Sequence, residues 1–253
     1  EDSDGNNLLD PGDTPEQNLQ FLVFLIATLR AVYEHGDLLR MSIASACNDH
    51  RLGANEAPPA IISVFLGERL NGILDDIKEG RDLEKAEEFI IDLGISSLPS
   101  IFRDHTDRNR TSPFAFTGSK FEFRAVGSSA SVSLANTVLS AAVAQSIDVL
   151  ADEIEAALDK GGELKEVILK VLQKHIKDTE PIRFEGNNYS DEWQQEAERR
   201  GLPNIRRSAQ AFDALVSDKN KTMLVKEGVF SESELVSRYN TKLEQYVTAL
   251  EIE

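Results

Sequence analysis

Hydrophobic positions along this chain recur mainly at helical spacing. The apolar residues Leu139, Val143, Ile147, Leu150 and Ile154 follow the helical period and predict one long helix over residues 132–158. Similar patterns predict helices over residues 14–34, 68–78, 83–93, 163–177, 190–200, 205–216 and 232–252. Strand-like stretches are short, at residues 41–47, 61–65 and 120–126. The pattern therefore predicts a mostly helical α+β fold.

Some of the predicted helix ends carry capping residues. Thr14, followed by Pro15 and then Gln17, is typical of a helix start. Ser231 and Glu234 form a capping box before the last predicted helix. These signals are local, so they predict where each helix begins.

The segment from Lys120 to Arg124 has a strict alternation of charged and aromatic residues. Side chains alternate faces along a strand, so Lys120, Glu122 and Arg124 share one face. Phe121 and Phe123 share the other face, where two aromatic rings favour a core. A half-solvated strand is one interpretation. The other is a site for an anionic, metal-bound phosphate ligand, because arginine binds phosphate and a carboxylate binds hard cations.

Length, composition and charge narrow the class of protein. The 253 residues are enough for one large domain or two smaller ones, and the hydrophobic fraction of 41% is typical of soluble globular proteins. The net charge of −17 disfavours nucleic acid and anionic membranes as partners. Cys47 is the only cysteine, and the apolar run 19–29 is too short to span a bilayer. We therefore expect a cytoplasmic protein without a membrane partner.

Sequence motifs exclude several kinds of site. The chain has no GxxxxGK[ST] phosphate loop and no GxGxxG motif, so a nucleotide site would depend on arginine, lysine and metal. The four histidines have no metal-ligand spacing, and structural or surface roles are expected for them: His35, His50, His105 and His175.

Three segments resemble one enzyme family. Residues 107–129, DRNRTSPFAFTGSKFEFRAVGSS, resemble the carboxy-terminal catalytic motif of glutamine synthetases, and of the type III enzymes in particular. Residues 48–67, NDHRLGANEAPPAIISVFLG, agree with it, and residues 182–202 resemble the helical extension of type III. The resemblance implies two parts. Residues 1–158 would be the carboxy-terminal part of the catalytic domain, with a few antiparallel strands, and residues 159–253 the helical extension.

The resemblance implies roles in substrate binding for three residues. Arg51 would bind the carboxylate of the substrate glutamate, and Arg124 would align the γ-carboxylate of that glutamate. Glu56 would lie on a flap that binds and deprotonates ammonium and excludes water. From the residues alone, Arg51 could equally form a structural ion pair and Glu56 could be a loop surface carboxylate.

The resemblance also implies a nucleotide and metal site. Arg110 would contact the nucleotide phosphates, Lys120 would lie near the nucleotide, and Glu122 would ligate Mg²⁺ or Mn²⁺. The sequence departs from the family at Ala115, where type I and II enzymes have an arginine, and at Ser119, where type III enzymes usually have asparagine. The family's other metal ligands and its amino-terminal β-grasp domain have no counterpart in these residues.

The implied function is ATP-dependent ligation of glutamate and ammonia to glutamine, through γ-glutamyl phosphate. The resemblance implies a homo-oligomeric ring, a dodecamer in type III enzymes, and we expect this chain alone to be inactive. Two alternatives remain open at this point. One is a ligase of the same fold that joins glutamate to a larger amine, and the other is a non-catalytic oligomerisation or regulatory module.

Overall fold

The computed structural model describes residues 1–54, 57–81, 90–91, 101–102, 111–127 and 130–252. These residues form a mostly helical α+β fold, which confirms the predicted fold class. The helices among them are α1 (Leu19–Glu34), α2 (Gly36–Ser42), α3 (Ala46–Arg51), α4 (Glu68–Glu79), α5 (Ser133–Leu158), α6 (Leu164–Asp178), α7 (Asp191–Arg199), α8 (Ser208–Val216), α9 (Asp218–Lys226) and α10 (Glu232–Ile252). The strands are β1 (Val64–Phe65), β2 (Ile90–Ile91), β3 (Ile101–Phe102), β4 (Phe114–Phe116) and β5 (Phe121–Phe123).

Helix α1 is the centre of the hydrophobic core. Its residues Leu22, Leu25 and Leu29 are completely buried, because α5 and α6 pack against it. The long helix predicted over residues 132–158 is confirmed as α5, and its hairpin partner is confirmed as α6. Burial of these apolar faces is the main source of stability in this part of the chain.

The helix ends confirm one capping prediction and correct another. At α10, the backbone N–H of Ser231 donates to Glu234 at 2.8 Å, and the N–H of Glu234 donates to the Ser231 hydroxyl at 3.3 Å, as a capping box requires. The start predicted at Thr14 is wrong. Helix α1 begins at Leu19, because the Asn18 side chain accepts a hydrogen bond from the Phe21 N–H at 3.0 Å.

The strand predicted over residues 41–47 is also wrong. This segment contains the end of α2 and the start of α3. Leu38, Leu39 and Met41 are buried, and α2 packs against α8 and α5, so tertiary contacts stabilise a helix here. Residues 90 and 91 lie in strand β2, not in the helix predicted over 83–93, and the rest of that prediction lies outside the described residues.

A small sheet carries the charged strand found in the sequence. Its strand order is β1–β4–β5, with β1 parallel to β4 and β4 antiparallel to β5, so the sheet is mixed. The Phe114 ring is completely buried, and its centroid lies 5.0 Å from that of Phe121 and 6.0 Å from that of Phe123. The aromatic face of β5 therefore packs on the core as predicted, and its charged face points away from it.

The segment after α6 lies along β1, at the edge of the sheet opposite β5. The N–H of Phe184 donates to the Val64 carbonyl at 3.0 Å. The Glu185 carboxylate accepts hydrogen bonds from the backbone N–H groups of Leu66 and Gly67 at the start of α4. Negative charge is favourable at a helix amino terminus, so Glu185 stabilises α4 across a long sequence separation.

Helix α5 is long and apolar enough, by length and composition, to cross a membrane. Core helices of soluble proteins have the same properties, and α5 buries one face against α1. The expected absence of a membrane partner stays a prediction, and so does the division of the chain after residue 158.

Candidate active site

The charged face of β5 brings three predicted site residues together. Arg124 Nη2 lies 3.1 Å from Glu122 Oε2, and Lys120 Nζ lies 3.8 Å from Glu122 Oε1. The Thr117 hydroxyl donates to Glu122 Oε1 at 3.4 Å. The row of cation, anion and cation expected from the sequence is therefore present in the fold.

Glu122 is held in its charged form by these neighbours. The hydrogen bond from Arg124 and the positive charges of Arg124 and Lys120 hold the pKa of the Glu122 carboxyl below its usual value. The side chain remains 39% exposed. An ionised and accessible carboxylate suits a hard divalent cation such as Mg²⁺ or Mn²⁺.

No complete metal site is found among the described residues. They contain no group of three or more His, Cys, Asp or Glu side chains that could hold a metal ion. The role of Glu122 as a metal ligand stays a prediction.

Two histidines have structural surroundings, in line with the sequence analysis. His35 is buried, with Nδ1 2.7 Å from Asn220 Oδ1 and Nε2 2.8 Å from Gln145 Oε1. His175 is buried between α5 and α6, with Nε2 3.1 Å from Glu153 Oε2. His105 lies outside the described residues.

A cavity of about 200 Å³ lies beside the charged strand. Arg124 and the residues after it form one wall, and the end of α3 with the following proline-containing loop forms another. The lining is Arg40, Ile43, Leu52, Ala57, Pro58, Pro59, Ala60, Ile61, Ile62, Pro113, Phe123, Arg124, Ala125 and Val126. The cavity therefore connects two of the three segments on which the family resemblance rests.

Arg40 is a cationic lining residue that sequence reasoning missed. Its side chain is 1% exposed, and its Nε donates to the Ile205 carbonyl at 2.9 Å. Its Nη1 finds no hydrogen-bond partner among the described residues. Burial lowers the pKa of the Arg40 guanidinium to about 10, which leaves it charged at neutral pH. Its position inside the apolar run LLRM was the one available signal.

Arg51 follows the segment predicted as a strand over residues 41–47, but it is the last residue of helix α3. The loop begins immediately afterwards. The N–H of Gly53 donates to the Ala57 carbonyl at 3.2 Å, with Gly53 at a φ of 76° that favours glycine. Leu52, directly after Arg51, lines the cavity with Arg124. The fold thus places the residue after α3 and Arg124 at one cavity, whereas Arg51, Lys120 and Glu122 are not among its lining residues.

The remaining predicted residues, Glu56 and Arg110, lie outside the described residues. Their sequence neighbours Ala57 and Thr111 are described, and Ala57 lines the cavity. Asn48 lies in α3 and is buried, and its Nδ2 donates to the Ile43 carbonyl at 2.5 Å, so its side chain binds the backbone just before the helix.

Comparisons with known proteins show what this chain is similar to. Residues 167–253 match the family model described as the glutamine synthetase C-terminal domain. The chain is 45% identical over 252 residues to "Glutamine synthetase" from Bacteroides fragilis (strain YCH46), covering 98% of this chain and 35% of that protein. It is 42% identical over 252 residues to "Type-3 glutamine synthetase" from Dictyostelium discoideum, covering 98% and 34%. A "Glutamine synthetase" from Butyrivibrio fibrisolvens is 40% identical over 256 residues, covering 98% and 35%.

The comparisons confirm the predicted resemblance to glutamine synthetases, including type III, over nearly the whole chain. Over residues 167–253 the chain is similar to glutamine synthetase C-terminal domains. The chain spans about a third of the length of the curated relatives it matches.

Proposed function

We propose that this chain forms part of an ATP-dependent glutamate–ammonia ligase that makes glutamine through γ-glutamyl phosphate. One observation supports this most strongly. Glu122 lies between Arg124 and Lys120, next to the arginine-lined cavity, in a chain similar to glutamine synthetases over 98% of its length.

Two arginines orient glutamate in this proposal. Arg124 lies at the wall of the cavity, where its guanidinium can hold the γ-carboxylate against the nucleotide. Arg51, at the end of α3, binds the other carboxylate of glutamate. Arg40 adds buried positive charge to the same cavity and favours an anionic amino acid there. Orientation of this kind lowers the entropic part of the barrier to γ-carboxylate attack on phosphate.

The charged residues of the β5 segment bind the nucleotide and its metal ion in this proposal. Glu122, with its lowered pKa, holds a divalent cation through a carboxylate oxygen. When bound, Mg²⁺ or Mn²⁺ neutralises charge on the phosphates of ATP. Lys120 and Arg110 would contact those phosphates, and their positive charge would stabilise the transferred phosphoryl group.

In this proposal, Glu56 acts in the second step, in which ammonia displaces phosphate from γ-glutamyl phosphate. The hydrogen bond between Gly53 and Ala57 closes the base of its loop next to the cavity. From such a loop, its carboxylate would bind ammonium, take its proton and exclude water from γ-glutamyl phosphate. The whole protein would be a cytoplasmic ring-shaped homo-oligomer, a dodecamer as type III enzymes are.

The central experiment replaces Glu122 with alanine in the natural full-length protein. ADP release in the presence of glutamate, ammonia and Mg²⁺ is expected to fall at least about 100-fold, because a preorganised charge at the phosphates is lost. Glu198→Ala is the matched control, since Glu198 is exposed on α7. Size-exclusion chromatography is expected to show the same assembly for all three proteins.

Unchanged ADP release in Glu122→Ala would contradict the proposal and favour a non-catalytic module. A strong preference of the unmodified protein for a larger amine over ammonia would favour the related ligase. The isolated 253-residue chain, assayed in the same way, is expected to show no turnover, because the family resemblance assigns it only part of the metal site.

A further inference from the structure

Helix α3 carries Arg51 but has little stability of its own. It is six residues long, well below the length at which an isolated helix is stable in water. The hydroxyl of its N-cap residue Ser45 donates to the Asn48 side chain instead of accepting from the first helical N–H groups. The position of α3, and with it the position of Arg51, must therefore depend on contacts with other elements.

Those contacts come from the last third of the chain and meet at Asp49. The backbone N–H of Ser208, at the start of α8, donates to Asp49 Oδ1 at 2.7 Å. The hydroxyl of Tyr246, on α10, donates to Asp49 Oδ2 at 2.6 Å. Both oxygens of one carboxylate are thus bound by groups that lie 159 and 197 residues further along the chain. Hydrogen bonds to a charged acceptor are the strong kind.

A further hydrogen bond holds the start of the helix. The Ser208 hydroxyl donates to the Ser45 carbonyl at 2.7 Å. Arg40, which lines the cavity, approaches the same hydroxyl with Nη2 at 3.5 Å. Helix α3 is therefore held at its N-cap residue Ser45 and at Asp49, two residues before Arg51.

The Tyr246 ring is itself held in place. It packs edge-on against the buried Phe212 of α8, with ring centroids 6.1 Å apart. Tyr239, about two helical turns earlier on α10, makes a similar hydrogen bond, but to Asp213 of α8 at 2.9 Å. The two tyrosines lie on one helix but donate to carboxylates on different elements, α3 for Tyr246 and α8 for Tyr239.

We propose that Tyr246 and Asp49 are positioning residues of the glutamate site: the last helix holds α3 by this hydrogen bond so that Arg51 faces the substrate carboxylate. The inference rests on the proposed function, because it needs Arg51 to bind glutamate. The last helix thereby becomes part of the active-site architecture, although neither Tyr246 nor Asp49 is assigned a contact with substrate.

The test compares Tyr246→Phe with Tyr239→Phe in the natural full-length protein. Each substitution removes one hydroxyl that donates to a carboxylate and keeps the ring. Tyr246→Phe is expected to raise KM for glutamate roughly 10-fold, with kcat and the KM for ATP within about twofold, because a charge-assisted hydrogen bond is lost. Tyr239→Phe is expected to leave all three values unchanged.

Amide hydrogen exchange of residues 46–52 provides a readout that does not depend on activity. It is expected to become faster in Tyr246→Phe and to stay the same in Tyr239→Phe. If Tyr246→Phe does not fold, Asp49→Asn in the same two assays takes its place.

Three outcomes are decisive. Unchanged KM for glutamate in Tyr246→Phe overturns the inference, and so do equal effects of the two tyrosine substitutions, which would indicate a purely structural role. If the unmodified protein makes no glutamine, the proposed function fails, while the exchange of residues 46–52 still decides whether Tyr246 positions α3.

Discussion

The helical core and the part of the molecule that carries the candidate site are stabilised by different interactions. This second part, here called the site edge, comprises α3, the start of α4 and the charged face of β5. In the core, α1, α5 and α6 bury long apolar faces, and residues such as Leu22 and Leu25 have no exposed surface. At the site edge, α3 has only six residues, and polar contacts with distant residues hold it. Stability and site geometry therefore depend on separate sets of residues and can be changed separately.

Polar contacts from the later part of the chain recur around the site edge. Glu185 binds the start of α4, and Asp49 is bound by Ser208 and Tyr246. Thr111, directly after Arg110, accepts a hydrogen bond from the Asn188 side chain at 3.3 Å. Each contact joins a segment of the family resemblance to residues beyond 180, so the later residues support the site.

The largest effect on stability is expected in the core. Leu25→Ala removes a completely buried side chain and leaves a cavity, so it should lower the free energy of unfolding by about 2–5 kcal/mol. Urea unfolding followed by circular dichroism measures the change. Val247→Ala on α10 is the control, because that side chain is 52% exposed, and it should change stability by less than about 0.5 kcal/mol. Equal effects of the two substitutions would contradict the assignment of α1 to the core.

A smaller effect is expected where a polar contact holds a helix at the site edge. Glu185→Ala leaves the N–H groups of Leu66 and Gly67 without their carboxylate partner and should cost about 1–3 kcal/mol. Hydrogen exchange should quicken in the first turn of α4 and remain slow in α1. Glu198→Ala, an exposed carboxylate on α7, should change neither measurement. A stable α4 amino terminus in Glu185→Ala would show that the core alone fixes this edge.

The same division explains how much of the molecule could be predicted from its sequence. The long helices were predictable because their apolar period and the Ser231–Glu234 cap are local. The charged row on β5 was predictable for the same reason, since alternation alone places Lys120, Glu122 and Arg124 on one face. Helix α3 was missed because contacts with α8 and α10, far away in sequence, stabilise it. Arg40 was missed because only the tertiary fold places it at the cavity.

The smallest expected effect is electrostatic, and it tests the site edge without disturbing the core. The Arg124 hydrogen bond lowers the pKa of the Glu122 carboxyl, so the ionised form is favoured in the folded protein. The stabilisation is therefore present above the carboxyl's unfolded pKa, and it is lost as the pH falls through the lower folded pKa. NMR titration of the Glu122 carboxyl carbon should give a midpoint below the usual value of a glutamate carboxyl. Arg124→Ala should move the Glu122 midpoint up towards that usual value, with the urea unfolding midpoint at neutral pH nearly unchanged. If the Glu122 midpoint is the same with and without Arg124, the two side chains do not form the charged pair in solution. The site edge would then lack the electrostatic organisation that distinguishes it from the core.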